Sequence, residues 1–259
     1  MPDKLEKQDP LLSDEEIIAI AIALYQGVYT PKNLPLSIYE LTIKRLQQAV
    51  FDGFGNNAIK LPATSEEYKM LSDLLDSIKI FSGAKTFCFT LTMEGLLVEN
   101  GNIISQELFI TKTKEAFKIF YENWLNAEYE TAITQAESAA DQVKFLKQKH
   151  IFPLLEYVAV EDEKLCGLCG PLDGMIRRVD DPIWITCSPA RHIRCRCKRV
   201  QRGYWVNETI IPANLPEVSP FLKSASWKTR QVFPKNHPYF TDIPEKYLPF
   251  AKRNFNLPL

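Results

Sequence analysis

Five of the six cysteines lie between Cys166 and Cys197, in the order Cys166-Gly-Leu-Cys169, Cys187 and His192-Ile-Arg-Cys195-Arg-Cys197. A Cys-x-x-Cys pair brings two thiolates to one ion from a tight turn, and a second group arriving later in the chain closes a tetrahedron around zinc. His192 and Cys195 can converge from a single turn, so the expected ligands of a structural zinc are Cys166, Cys169, His192 and Cys195. Cys195 and Cys197 would share a face only in extended chain, which makes Cys197 the substitute ligand. Arg191, Arg194, Arg196, Lys198 and Arg199 surround these sulfurs, and nearby positive charge favours the thiolate that zinc requires. The competing reading is a set of reduced, buried cysteines without metal. A hydrolytic zinc keeps one position open for water, whereas thiols in excess of four ligands fit a closed site.

The same basic run, Arg191 to Arg202, offers contacts to DNA phosphates. Its arginines serve equally well to balance thiolates or to pair with Glu161, Asp162, Asp180 and Asp181. Asp162, four residues ahead of Cys166, is either a simple solvated acid or a group that orients a ligand from outside the first sphere. Signatures of catalysis are missing: the sequence holds no Gly-x-Ser-x-Gly, His-Glu-x-x-His or Gly-x-x-x-x-Gly-Lys. Of the three histidines, His150 and His237 have no evident catalytic partner. The expectation is a protein without enzymatic activity, with a zinc-dependent nuclease or a DNA-binding protein using Arg191 to Arg202 as the alternative.

Elements that would position these residues can be read around them. Ser13-Asp-Glu-Glu16 makes a capping box ahead of the apolar stretch Ile17 to Tyr25. Ile38, Leu41, Leu46, Ala49 and Val50 recur near helical spacing, and Ser65 opens a third helix with Leu71, Leu74, Leu75 and Ile78 on one side. Between Thr86 and Glu99 the reading stays open: the alternation of Phe87, Phe89, Leu91 and Met93 suits a strand, and the alternative is more helix. From Asn102 to Phe152, 51 residues pass without glycine or proline, and a stripe from Phe117 to Leu146 predicts a helix of about 35 residues, roughly 50 Å long. Its alanine-rich part, Ala127 to Ala140, either packs on the preceding helices or accepts a helix of a neighbouring subunit. Tyr157 to Val160 and Met175 to Val179 read as a hairpin carrying the first Cys pair. Eight of the 17 prolines fall in the last 60 residues, so the end of the chain is expected to be extended, docked on a surface by its aromatics, and dispensable for folding beyond Arg202.

The fold class that follows is mainly α with a small α+β zinc-knuckle module. It divides into a helical N-terminal region (1–104), a long helix (105–152), a Cys/His module (153–203) and an extended Pro- and aromatic-rich tail (204–259). The 46% hydrophobic content of 259 residues is enough for a real core. A net charge of −1 gives no global pull toward nucleic acid or membrane. The longest apolar run, nine residues from Ile17 to Tyr25, falls short of the roughly 20 that span a bilayer. Asp3, Glu6 and Asp9 do not resemble a secretory leader, which points to synthesis in a cytoplasm, where clustered cysteines are metal ligands more often than disulfides.

Taken together, Cys166-x-x-Cys169, Leu172-Asp-Gly174 and the ending Pro189-Ala-Arg-His192-Ile-Arg-Cys195-Arg-Cys197 resemble the Mu F-like family of phage minor head proteins. Phe81-Ser-Gly-Ala-Lys85, Asn126-Ala-Glu-Tyr129-Glu-Thr-Ala132 and His237-Pro-Tyr-Phe240 are similar to further segments of it. Cys187 falls outside the family pattern, and Ala190 stands where a second proline is usual. The resemblance implies a component of the procapsid and virion near the portal, aiding head morphogenesis or genome delivery. Portal and capsid proteins would be its partners, with packaged DNA as a further contact; self-association through the long helix rests instead on its alanine-rich part. It would reside in the virion, and in the host cytoplasm during assembly.

Overall fold

Three helices start at serines that the sequence places ahead of acidic residues. In the computed structural model, which describes residues 11–55, 58–160, 167–212, 214–215, 217–223 and 225–255, Ser13 Oγ accepts from Glu16 N at 3.2 Å and Ser13 N donates to the Glu16 carboxylate at 2.7 Å. This starts α1 (Asp14–Tyr25). After α2 (Leu36–Phe54), Ser65 caps α3 (Glu66–Leu96) through Tyr68 N. A two-residue ribbon, β1 (Val98–Glu99) with β2 (Asn102–Ile103), turns the chain into α4 (Gln106–Phe117), capped by Ser105. Thr86 to Glu99 is thus helical to Leu96, against the alternation that suited a strand.

α4 runs through a π-helical turn, Lys118–Trp124, into α5 (Leu125–Gln148) without leaving helical backbone. This gives 43 residues, roughly 65 Å at 1.5 Å per residue. A π turn inserts an extra residue and shifts the side chains that follow it. Here it lets Phe117, Phe120 and Tyr121 all face Phe89 of α3, with ring centroids 6.4, 5.6 and 5.2 Å away.

Ala132, Ala136 and Ala139 of α5 are fully buried within the chain. The helix that approaches their side of α5 is α2, whose Gly53 lies so near that a Cβ there would sit 2.2 Å from Ile133 O and 3.0 Å from Ala136 Cβ. The alanine surface is therefore occupied by the chain itself and offers no seat for a neighbouring subunit. Glycine to alanine inside a helix ordinarily stabilises by about 1 kcal/mol. Gly53→Ala is expected to do the reverse, lowering stability by about 1–3 kcal/mol because backbone on backbone cannot give way; urea unfolding of the two proteins measures the sign.

Pro153 ends this helical run, and β3 (Leu154–Val158) follows. It pairs antiparallel with β4 (Ile176–Arg178) on one side and β5 (Lys198–Arg202) on the other, giving the order β4-β3-β5. Between β4 and β5 lies α6 (Ile183–Cys187). The hairpin of β3 and β4 matches the sequence reading, while β5 was read only as a charged run.

The C-terminal part is less extended than its prolines imply. It forms three short helices, α7 (Ser226–Thr229), α8 (Pro238–Thr241) and α9 (Leu248–Phe255). Val232, Phe233, Tyr239, Phe240, Ile243 and Tyr247 are buried in the same core as α1 to α5. A second core around Trp184 and Tyr157 lies under the sheet, and Trp227 packs against both. Among the described residues, no helix is long and apolar enough to cross a membrane.

Candidate metal centre

The sheet and the long helix together hold the cysteines. Tyr157, buried on β3, donates its hydroxyl to Cys169 Sγ at 3.2 Å. The Leu-Asp-Gly turn seats the knuckle on the same strand: Ala159 N donates to Asp173 Oδ1 at 2.7 Å, and Gly174 N donates to Tyr157 O at 2.9 Å. Gly174 takes φ +69°, a conformation that a side chain resists.

His192 and Cys195 do converge from one turn, closed by Cys195 N donating to His192 O at 3.2 Å. The backbone is left-handed on both sides of His192, with φ 71° at Ala190 and 61° at Arg194. For residues other than glycine this conformation must be held from outside. α5 does the holding. Thr134 Oγ1 donates to Cys195 O at 2.7 Å, Thr131 Oγ1 accepts from Arg194 N at 3.2 Å, and Glu130 pairs with the Arg194 side chain at 2.9 Å.

The result is a cluster in which Cys169, His192 and Cys195 each offer one ligand atom, all within 4.8 Å of one another. The two sulfurs are 3.9 Å apart. His192 Nδ1 lies 2.8 Å from Ile193 O, so with the proton on Nδ1 the other ring nitrogen is left as a lone-pair donor. Cys197 is buried in the same core as Cys169 and Cys195, outside the group of three whose ligand atoms lie together. Cys166, Glu161 and Asp162 lie outside the described residues. Cys187 is buried elsewhere in the same core, its sulfur 3.8 Å from Thr186 Oγ1.

Neighbouring buried thiols cannot all ionise without a cation among them. Hydrogen bonds to Cys195 and Cys197 hold the Cys169 thiol far above the usual thiol range, and the contact with Cys169 pulls Cys195 far below it. A divalent cation would accept the sulfurs as thiolates together, so the donor set fits zinc.

The basic run around the cluster is spent inside the chain. Lys198 pairs with Glu137 at 2.8 Å, Arg194 with Glu130, and Arg202 with Glu156. Arg191 is buried and donates to Thr186 O at 2.6 Å. Arg199 is buried against Phe145, Trp184 and Trp227 and hydrogen-bonds Gln142 and Ser138. Burial lowers its pKa only to about 10, so it stays charged at neutral pH. The carboxylates at hand come from α5 and β3; Asp180 and Asp181 pair instead with Arg178 and Arg177. Lys198 and Arg199 reach Glu137 and Ser138 across 61 residues of sequence and Arg202 reaches Glu156 across 46, separations that no local charge pattern spans.

The fold and site define a mainly helical protein with a small three-stranded sheet, bearing a buried Cys/His cluster braced by one long helix. Residues 98–200 match the family described as Phage Mu protein F like protein, so this stretch, from β1 through the long helix and the cluster into β5, is Mu F-like. The segments 81–85 and 237–240 lie outside the matched residues. No curated protein and no solved structure matches the chain.

Proposed function

We propose that this protein is a minor head protein of a phage or prophage, a structural and non-catalytic part of the procapsid near the portal that aids head morphogenesis or genome delivery. The observation that carries this reading is the Mu F-like match over residues 98–200, which ends in the Cys/His cluster. The Mu F-like stretch folds into a long helix clamped to the sheet, a rigid element that suits assembly. One structural zinc, held by Cys169, His192 and Cys195 with a fourth sulfur from Cys166 or Cys197, would brace the loops at its end. Portal and capsid proteins are the proposed partners and the virion the proposed location.

The test is biochemical. Heads of a phage carrying this gene, banded on a density gradient, should contain the chain at low copy relative to the major capsid protein, and immunogold should place it at the portal vertex. A chain that stays wholly in the soluble fraction refutes the assignment.

A further inference from the structure

Three buried polar side chains that take no part in the metal centre meet at one point in the helical body. Lys85 of α3 is fully buried, and its Nζ donates to Glu128 Oε1 of α5 at 2.8 Å and to the Tyr239 hydroxyl of α8 at 3.1 Å. Tyr239 donates in turn to the same Glu128 oxygen at 2.9 Å. The Lys85 and Glu128 side chains are 0% and 7% exposed, so water contributes little to their solvation. A desolvated ion pair leans on further hydrogen bonds; here Glu128 Oε1 accepts from both Lys85 and Tyr239, while its Oε2 has no hydrogen-bond partner among the described residues. Lysine has three donors, and Tyr239 supplies an acceptor to it that α3 and α5 do not.

α8 is four residues long and cannot stand as a helix by itself. It rests on Phe81, whose ring lies 4.0 Å from that of Phe233 and 5.3 Å from that of Tyr239. Apolar contacts of this kind are strong but non-directional, so they leave the sliding of the segment along α3 loosely specified. The polar contacts do not. Besides the triad, Cys88 Sγ donates to Tyr239 O at 3.5 Å, and the Tyr247 hydroxyl donates to Glu94.

We propose that residues 232–251 form a strap whose seat on α3 and α5 is set by Tyr239, a latch on the buried Lys85–Glu128 pair, so that strap closure and completion of the helical body are one event. These residues are synthesised well after both helices, and the body therefore reaches its final form only once they have been made and have closed. This holds whether or not the protein belongs to a phage head.

Hydrogen exchange of the full chain, read peptide by peptide, tests the latch. Tyr239→Phe removes one oxygen and keeps the ring. It should speed exchange across 232–251 and around Lys85 on the order of tenfold or more, the size of one lost hydrogen bond to charged groups, while peptides of the β4-β3-β5 sheet keep their rates. In a Lys85→Met/Glu128→Leu background, where no ion pair remains to be latched and the buried Tyr239 hydroxyl has lost both partners, Tyr239→Phe should no longer speed strap exchange and should slow it instead. Unchanged strap exchange in Tyr239→Phe, a uniform rise along the chain, or an equally large acceleration in the apolar background would each overturn the proposal.

Discussion

A chain ending at Arg202 is expected to lose its cooperatively folded helical body. The truncation deletes Val232, Phe233, Tyr239, Phe240, Ile243 and Tyr247, each less than a tenth exposed and packed in the core of α1 to α5. At about 1.5–3 kcal/mol for each large apolar side chain buried, their loss reaches about 10 kcal/mol, as much as the whole stability of a typical domain at about 5–15 kcal/mol. It also strips Lys85 and Glu128 of Tyr239 and exposes Phe81 and Phe87. The sequence reading of a dispensable tail is reversed here, because prolines exclude regular structure but do not exclude burial. Thermal unfolding followed by circular dichroism decides between the two. A truncated chain that still melts cooperatively within a few degrees of the intact one would show that the strap is an accessory after all.

What could be read from the sequence depended on whether the signal was local. Capping serines at 13 and 65 and the hairpin around the first Cys pair act within a few residues, and the structure has each of them. The turn joining His192 to Cys195 was legible for the same reason. The stretch from Thr86 to Met93 stayed ambiguous between strand and helix because α3 is covered on more than one side. Phe87 meets Tyr247 of the strap at 5.9 Å while Phe89 meets the π turn, so apolar residues that alternate like a strand's are all buried on a helix. β5 was hidden because its Arg199 is a core residue, and an arginine enters a core only with partners such as Gln142 and Ser138 that no local pattern announces. The Lys85–Glu128–Tyr239 contact joins positions 43 and 111 residues apart. Each of these residues had been noted in a short family-like segment, and only the fold shows that the three segments meet.

The second large effect is expected from the metal. Protein purified without chelator should carry one zinc per chain, and Cys169→Ser should abolish that stoichiometry. Apparent binding energies of structural zinc in small modules are about 10–16 kcal/mol and enter the folding free energy directly, so the loss should melt the loops around the sheet. The damage should stop at α5: its contacts to α2 and α3 lie in the other core, and Thr131 and Thr134 lose only the loop they hold. Proteolysis would then cut within residues 160–200 while helical circular dichroism stays close to that of the parent. Cys187→Ser provides the comparison, since its sulfur contacts Thr186 in the same core and its replacement changes size little; zinc content should be unchanged. Cys166→Ser and Cys197→Ser then identify the fourth ligand, as only the true one should release the ion to a weak chelator. Zinc-free protein whose melting temperature is indifferent to chelator would show instead that Cys169, Cys195 and Cys197 are buried thiols that pack the core without metal.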